Sequence, residues 1–426
     1  MSFPEHAASP DVAAEHTLDG GGRRATPASL ARAGLLSAAI AITAGCSQRT
    51  DPDAARAEFS SKQRSLPAGR APAGAPERAG SYDGTASAGR STASRNTAGA
   101  SLSMEGGLLP DEPAGAGAMT VRIDAAPTEA ERTRAAEILR AAARSSWAAL
   151  RANAIEAAKP NPSLFAELAP LGLVDENRGV RFVACMAIGE VRNRDLCVLV
   201  QPLLQDDSAS VRAAAMLALS RCGQTVDLTP LAAMLSDNDP EVRGNAYLVL
   251  GELGNSSAVP LIRDSIGRGM KLVNPIRARL VDLTAAEALV KLGDDREIEP
   301  LRAALFAPPE QAELTLVACD AIGRLRDEVS RPMLERLLTV SGDAQRSPEI
   351  RLAAARALVA LGAAPTALIP VGREYHAHPD RRVRSQAAAL LGSLKTTDSL
   401  DLLARLILDG DPTVQVAAAA GIEACD

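Results

Sequence analysis

Few side chains in this sequence have the types and spacing that catalysis requires. The histidines are His6, His16, His376 and His378, and no candidate nucleophile has one of them as a nearby partner. His376 and His378 are two residues apart, but a metal ion needs a third ligand that the sequence does not indicate. No glycine-rich phosphate loop or dinucleotide fingerprint is present. We therefore expect a protein that is not an enzyme and that needs no metal or cofactor.

The six cysteines form neither a CxxC pair nor a regular series, which argues against a zinc site and against a disulfide framework. Cys185, Cys197, Cys222 and Cys319 lie in predicted helical stretches, where free thiols commonly act as small apolar side chains. Oxidation of Cys185 with Cys222 stays open, because it depends on distances that a sequence does not contain. We expect the penultimate residue, Cys425, to be exposed.

Arginines form the most regular set of charged side chains. Six of them occupy one place in a repeated pattern: Arg151, Arg181, Arg212, Arg243, Arg351 and Arg384. The first four follow one another at intervals of 30 or 31 residues. Such a row could bind anions or could hold neighbouring elements together, and both interpretations require a repeated element that positions it.

Two further basic groups stand out in a chain whose net charge is -6. The first comprises Arg263, Arg268, Lys271, Arg277 and Arg279, and the second comprises Arg373, Arg381 and Arg382. The first group surrounds an insertion at 266–276, and insertions in repeat arrays often form binding loops. We interpret both groups as candidate contacts for a protein partner, with an ordinary solvated surface as the alternative.

An aliphatic anchor residue recurs along the later part of the chain with a period close to 31 residues. The anchors are Leu150, Val180, Val211, Val242, Val281, Leu314, Ile350, Val383 and Val414. Four residues after each anchor stands an alanine, and eight residues after it stands a large aliphatic side chain in eight of the nine copies. These positions share one helical face, so each copy predicts a helix whose buried stripe is small in its middle.

Each predicted helix follows another amphipathic stretch, with turn residues between the two. Asp239-Pro240, Ser347-Pro348 and Asp411-Pro412 are typical of an N-cap followed by a first-turn proline. Glycine stands twelve residues after the anchor at Gly223, Gly254, Gly293 and Gly362. Glycine at that point is typical of a helix C-cap. The pattern predicts about nine helix-turn-helix hairpins that stack to complete a core.

Two segments carry a resemblance to a known repeat family. Asp239-Pro240-Glu241-Val242-Arg243 with Ala246, and Asp411-Pro412-Thr413-Val414 with Ala418, resemble the armadillo and HEAT-like repeats, including the short repeats of phycobilin lyases. The resemblance covers residues from about 128 to 426 and implies an all-α solenoid. It also implies that the arginine after the anchor is structural and pairs with turn aspartates of adjacent repeats.

The N-terminal region orders its basic and apolar residues as an export signal does. Arg23-Arg24 and Arg32 precede an apolar run at 33–44, which ends directly before Gly45-Cys46. A run of this length is too short for a helix that spans a bilayer, so we expect a cleaved or transiently inserted segment.

A cysteine after small residues at the end of such a run is similar to the lipobox of bacterial lipoproteins. The similarity implies that Cys46 is lipidated and becomes the first residue, and that the protein resides in the bacterial cell envelope, anchored only through its lipid. An ordinary cleaved signal and a cytoplasmic protein are the alternatives.

Residues 46–127 are rich in Ala, Gly, Ser, Pro and Arg and contain almost no large apolar side chain. Such a segment cannot bury enough surface to offset its ordering entropy, so we expect a disordered tether. As a flexible coil, about 80 residues span roughly 50 Å root-mean-square. The sequence therefore predicts a signal segment at 1–45, a disordered tether at 46–127 and a repeat domain at 128–426.

The function that follows from these expectations is a membrane-tethered scaffold that binds a protein partner. We expect its binding surface to be an extended concave face, built mainly from the second helices of the hairpins. A lyase-like enzyme or chaperone-type subunit related to phycobilin lyases is the alternative. A protein that reads DNA would need a basic groove with aromatic wedges, whereas this chain is acidic and has one tryptophan, Trp147.

Overall fold

Nine helical hairpins make up the described part of this computed structural model, which comprises residues 126–268 and 274–425. Hairpins 1 to 5 are α1 (Glu129–Ala142) and α2 (Ala148–Ala157), α3 (Pro162–Leu173) and α4 (Arg178–Val191), α5 (Arg194–Val200) and α6 (Ala209–Arg221), α7 (Pro230–Met234) and α8 (Pro240–Leu253), and α9 (Val259–Ser265) and α10 (Pro275–Lys291). Hairpins 6 to 9 are α11 (Glu299–Ala304) and α12 (Ala312–Leu325), α13 (Arg331–Thr339) and α14 (Pro348–Ala360), α15 (Pro365–Tyr375) and α16 (Arg381–Leu394), and α17 (Thr397–Leu406) and α18 (Pro412–Glu423). The predicted all-α repeat architecture is confirmed, and Cys46 and Lys271 lie outside the described residues.

The alanine stripe positions the two helices of each hairpin. All nine alanines that stand four residues after an anchor have no exposed surface, from Ala154 in hairpin 1 to Ala418 in hairpin 9. The anchor four residues before each alanine is also buried. In hairpin 2 this stripe faces the first helix, because a Cβ atom on Gly172 would lie 2.8 Å from the Cβ atom of Ala184. Because alanine carries a single methyl group, the facing helix can approach closely at mid-length.

The second helices end at a fixed place in the repeat. Backbone φ is positive twelve residues after the anchor in hairpins 2 to 8, at Arg192, Gly223, Gly254, Gly293, Arg326, Gly362 and Lys395. The four predicted glycine C-caps are therefore confirmed, and arginine or lysine occupies the same left-handed position in the other three. At the helix starts, Asp239 and Asp411 accept backbone hydrogen bonds as predicted, whereas the Ser347 side chain makes no such bond.

At every second joint between consecutive hairpins, a glycine lets the two second helices approach closely. A Cβ atom on Gly189, Gly251 or Gly323 would lie 2.8, 2.9 or 3.2 Å from the Cα atom of an alanine on the next second helix. Gly392 meets Gly421 in the same way. These glycines stand nine residues after the anchor, at the interfaces of hairpins 2 with 3, 4 with 5, 6 with 7 and 8 with 9. The second helices thus approach one another most closely in pairs, a feature that the sequence analysis did not identify.

The two ends of the array pack against each other. Helix α18 contacts both α1 and α2, so each second helix has a second helix on either side and the hairpins form a closed ring. The Arg132 guanidinium donates a hydrogen bond to the Cys425 carbonyl oxygen (3.1 Å), and the Asn161 amide donates one to Glu423 (3.2 Å). Cys425 is fully buried, which contradicts the expectation that it is exposed.

The closing joint has the same long-range contacts as the rest of the ring. Arg178 of hairpin 2 reaches past hairpin 3 to pair with Glu241 of hairpin 4, at 2.9 Å. Arg381 of hairpin 8 reaches past hairpin 9 and lies over the Trp147 ring of hairpin 1, at 5.8 Å from its centroid. The ring therefore curves across the joint between hairpins 9 and 1 as it does elsewhere.

The expected open concave groove is absent from the ring formed by the described residues. Positions two and six after the anchor lie opposite the alanine stripe, because a helix turns about 100° per residue. Phe182, Leu283 and Val416 at the first position are buried, as are Met186 and Leu217 at the second. The same face carries a charged side chain six residues after the anchor in hairpins 1, 5, 6 and 7, at Glu156, Glu287, Asp320 and Arg356, and Glu156 and Glu287 are also buried. The second helices therefore form the core of the ring.

Two alanine substitutions in α8 test the close approach of glycine. Gly251→Ala should lower the free energy of unfolding by about 1 to 3 kcal/mol, because its Cβ would meet Ala288 backbone at 2.9 Å. Gly244→Ala in the same helix places its Cβ in open space and should raise that free energy by about 0.4 to 1 kcal/mol. Urea denaturation followed by circular dichroism measures both, and equal effects of the two substitutions would contradict the packing.

Candidate interaction surface

The ring has two edges with different composition. The turns inside the hairpins lie at one edge, which we call the turn edge, and the connections between hairpins lie at the other, the linker edge. Residue 126 enters at the linker edge, where Arg132 of α1 bonds to Cys425 after the end of α18. Helix α1 has 14 residues, so the turn edge lies about 20 Å farther along it.

Arginines of the predicted row connect consecutive turns. Each of three guanidinium groups pairs through two hydrogen bonds with an aspartate of the next turn: Arg151 with Asp175 (2.7 and 2.7 Å), Arg181 with Asp206 (2.8 and 2.9 Å) and Arg384 with Asp409 (2.7 and 2.9 Å). The remaining nitrogen of each one donates to two carbonyl oxygens of its own turn. One side chain thus fixes both its own turn and the position of the next hairpin.

Other members of the row have different partners from those that the resemblance implied. Arg212 donates to the carbonyl oxygens of its own turn. Arg351 pairs with Glu374 (2.8 Å) and contacts the Tyr375 hydroxyl. Gln415 holds the arginine position in hairpin 9 and still donates to the Asp409 carbonyl oxygen at 2.7 Å. Bonding to the turn backbone is thus more widely shared than pairing with a turn aspartate.

Arg243 anchors the insertion in hairpin 5. Its side chain is 1% exposed, and it donates hydrogen bonds to the carbonyl oxygens of Asp237, Ser265 and Arg268. Asp237 belongs to its own turn, whereas Ser265 and Arg268 lie where α9 ends and the insertion begins. A buried guanidinium therefore determines where the basic insertion leaves the ring.

The turn aspartates are held in their charged form. Burial disfavours the charged Asp175 carboxylate, but hydrogen bonds from Arg151 and from the Asn177 backbone outweigh it and lower its pKa. Hydrogen bonds from Arg384 lower the pKa of Asp409 against the effect of burial. The ladder of arginines and aspartates therefore stays ionised at neutral pH.

The candidate partner-binding arginines divide into two sets. Arg263 and Arg373 lie on first helices and pair with Asp294 and Asp398 of following segments, so they join hairpins on the ring's outer layer. The other described members lie at the turn edge: Arg268, Arg277, Arg279, Arg381 and Arg382. All five are exposed, and Arg268 and Arg381 also pair with Asp264 and Asp411.

Large apolar side chains are exposed beside these charges. Trp147, Val174 and Leu408 are 50%, 83% and 70% exposed. They lie in the turns of hairpins 1, 2 and 9, which are neighbours because the ring is closed. Exposed apolar side chains on neighbouring turns commonly mark a contact with another molecule. Sequence analysis missed this patch, since its members are far apart in the chain.

A belt of charges occupies the linker edge. Its ion pairs join consecutive hairpins: Lys159 with Glu190 (2.6 Å), Arg221 with Glu252, Glu252 with Lys291 (2.7 Å), Glu287 with Arg324 (2.7 Å), and Asp320 with Arg356 (3.3 Å). Five of these residues stand ten positions after their anchors: Glu190, Arg221, Glu252, Lys291 and Arg324. Comparing the copies at that position could have revealed the belt from the sequence.

Burial acts differently on two carboxylates of the belt. Glu287 is 5% exposed, and burial alone would raise its pKa, but Arg324 and Lys291 outweigh this and lower it. Burial raises the pKa of Glu190 even though Lys159 opposes the change. The belt thus holds hairpins together by pairs that are costly to break one partner at a time.

A disulfide bond joins Cys197 to Cys222 within hairpin 3, with 6.4 Å between their Cα atoms. This corrects the possibility that Cys222 pairs with Cys185. Cys185 and Cys319 are fully buried, and burial raises the pKa of both thiols. Neither is therefore a reactive thiolate at neutral pH.

The described residues contain no group of three or more His, Cys, Asp or Glu side chains placed to hold a metal ion. Within 126–268 and 274–425, no helix combines the length and the apolar character needed to cross a membrane.

The stacked hairpins and their turn ladder define a helical-repeat solenoid, and comparison with known proteins specifies the repeat. The family described as HEAT repeats matches residues 165–239 and 228–313, so this part of the chain consists of HEAT repeats. No curated protein matches the chain.

Solved structures with a similar fold come from several sources. Human deoxyhypusine hydroxylase in complex with glycerol shares 17% identity over 63% of this chain and 97% of its own, with a TM-score of 0.32. The complex of CpcE and CpcF of phycocyanin lyase from Nostoc sp. shares 19% identity over 60% and 92%, with a TM-score of 0.27. The archaeal HEAT-like repeats protein from Thermococcus onnurineus shares 15% over 70% and 97%, with a TM-score of 0.19. The likeness is one of fold alone.

The expectation that this protein is not an enzyme is contradicted by these comparisons. The similar structures include a hydroxylase and a lyase, so this repeat fold is shared by enzymes. The expectation came from the absence of familiar catalytic motifs, and that absence does not separate enzymes from binding proteins on such a scaffold.

Removal of one belt carboxylate tests the linker edge. Glu287→Gln should lower the free energy of unfolding at pH 7 by about 3 kcal/mol, because Arg324 and Lys291 lose a buried partner. The pKa of Glu287 is lowered from 4.5, so its contribution is complete above that pH and is lost as the pH falls. The gap between the two proteins should therefore shrink below about pH 4.5.

Glu328→Gln is the matched control, since Glu328 is 60% exposed and pairs with Arg331 at the surface. It should change the free energy of unfolding by less than about 0.5 kcal/mol. Urea denaturation at pH 7, 5 and 3 measures all three proteins. A Glu287→Gln protein as stable as the control at pH 7 would refute the role of the belt.

Proposed function

We propose that this protein is a membrane-tethered scaffold that binds a protein partner through the turn edge of its ring. The observation that carries the proposal is the contrast between the edges. The turn edge presents five exposed arginines and an exposed apolar patch, while the chain enters the ring at the linker edge.

The turn edge has the composition that protein contacts favour. Tryptophan and arginine are enriched among the residues that dominate binding energies, and both are present here as Trp147 and Arg381. The arginine ladder beneath them fixes the turns in place, so the surface is rigid before a partner binds. Binding to a preformed surface avoids much of the entropy cost of ordering loops.

The membrane tether in this proposal is supported by the export-type sequence at the N-terminus. Residues 1–45 act as a signal, Cys46 carries the lipid, and residues 46–127 connect the lipid to the ring in the bacterial cell envelope. The disulfide between Cys197 and Cys222 supports this location, because disulfides persist mainly in oxidising compartments.

Mass spectrometry of the mature N-terminus tests the tether. The protein from its native cells should begin at Cys46 and carry a diacylglyceryl mass, and Cys46→Ser should leave the N-terminus unlipidated. An intact Met1 in the native protein would remove the tether from the proposal.

Site-specific crosslinking tests the turn edge. A photoreactive amino acid at Arg277 or Arg382 should crosslink a protein in intact cells. The same amino acid at Glu328, which is exposed on the linker edge, should give no adduct. Adducts of equal yield at all three positions, or at none, would overturn the assignment of the binding edge.

A further inference from the structure

We propose that the partner of the turn edge is a second copy of this chain, related by a two-fold axis that passes through hairpin 1. The inference rests on the proposed use of the turn edge and specifies what occupies it. Two properties of that edge carry it: an apolar patch centred on hairpin 1, and exposed charges of opposite sign on the hairpins that such an axis would bring together.

The apolar patch occupies the position that the axis requires. Trp147 lies in hairpin 1, with Leu408 in hairpin 9 on one side and Val174 in hairpin 2 on the other. In a two-fold contact, the surface on the axis meets its own copy, so an apolar centre is self-complementary and a charged centre is not. The guanidinium of Arg381 lies over the Trp147 ring, and Arg144 of the same turn is 60% exposed, so positive charges border the apolar side chains there.

The order of charges around the edge matches the same axis. A two-fold rotation brings together hairpins that lie at equal distances from hairpin 1 on its two sides. Hairpin 3 of one copy then meets hairpin 8 of the other, and hairpin 5 meets hairpin 6. Asp207 of hairpin 3 is 89% exposed and would face the exposed Arg382 of hairpin 8. Arg277 of hairpin 5 would face the exposed Glu310 of hairpin 6. Symmetry makes each of these pairs occur twice.

Hairpins 2 and 9 depart from this order of charges, because each carries acids at the turn edge. Hairpin 2 would meet hairpin 9, and Glu176 is the exposed acid there. Its counterparts, Asp409 and Asp411, pair with Arg384 and Arg381 at 2.7 and 2.9 Å, as Asp207 pairs with Arg181 at 2.7 Å, and Asp207 differs in being 89% exposed. Hairpins 4 and 7 would also meet, and both signs of charge are present between them in Glu241, Arg346 and Glu349.

Partners of uniform charge fit this edge less well. A polyanion that contacts Arg277 and Arg382 would also meet Asp207 and Glu176, each 89% exposed, on the same edge. A polycation that contacts Asp207 and Glu176 would be repelled by Arg277 and Arg382. Like charges at a contact cost binding energy and exclude partners, whereas a rotated copy presents the opposite sign to Asp207, Arg277 and Arg382.

Charge exchange in the purified full chain tests the proposal by analytical ultracentrifugation. The wild-type chain should form a concentration-dependent dimer that weakens as salt is raised, because the exposed pairs are screened. Asp207→Arg alone and Arg382→Asp alone should each weaken dimerisation about tenfold, and the double exchange should restore it. Glu328→Arg, on the linker edge, should leave the dimer unchanged and serves as the matched control.

The exchange of Arg277→Asp with Glu310→Arg provides an independent pair if Asp207→Arg disturbs the ladder, since Asp207 also contacts Arg181. Trp147 is the chain's single tryptophan, so its emission reports directly on the centre of the contact. It should shift to the blue and become less accessible to acrylamide as dimers form.

A chain that remains monomeric, or a dimer that neither charge exchange affects, overturns the proposal. These outcomes differ from a failure of the proposed function. Crosslinks from Arg277 and Arg382 to a different protein would leave the turn edge as a binding surface while excluding the second copy. The absence of any crosslink at these positions would remove both.

Discussion

The packing of α18 against α1 and α2 is the constraint on which the rest of the structure depends. A stack of hairpins has two unlike end surfaces, and each end must be capped by polar residues or covered. Here each end covers the other, so Glu423 and Cys425 at the end of the chain are buried. Closure also requires strong curvature, which the paired glycines and alanines of the second helices permit. Ladder and belt ion pairs then hold the joints at the two edges.

The sequence predicted the local structure well because local structure follows from side-chain type at fixed spacing. The alanine four residues after each anchor and the glycine at twelve residues have direct physical roles, in close packing and in a left-handed helix end. Closure was not predictable in the same way. It results from small rotations added over nine joints, and no single residue pattern encodes their sum. An open concave groove was expected for that reason, and the buried inner positions such as Leu283 correct it.

The functional surface was likewise predictable in its residue types but not in their contacts. The arginine row and the two basic groups could be found by reading the repeat, but their partners could not. Arg243 donates to backbone carbonyl oxygens at the start of the insertion instead of to a turn aspartate. Trp147, Val174 and Leu408 form a patch only because hairpins 9, 1 and 2 are neighbours in the ring. Functional surface on a closed repeat ring thus depends on the topology as much as on the residues, and a closed core directs binding to the edges.

Ring closure is tested most directly by the distance between the first and last hairpins in solution. Spin labels at Glu137→Cys in α1 and Asp401→Cys in α17, both exposed positions, would report it by pulsed electron resonance. A reference pair at Glu335→Cys and Ala367→Cys, in hairpins 7 and 8, gives the distance between adjacent hairpins. The ring predicts similar distances for the two pairs. A first-to-last distance several times the reference, as nine hairpins stacked at about 10 Å intervals would give, would contradict the account.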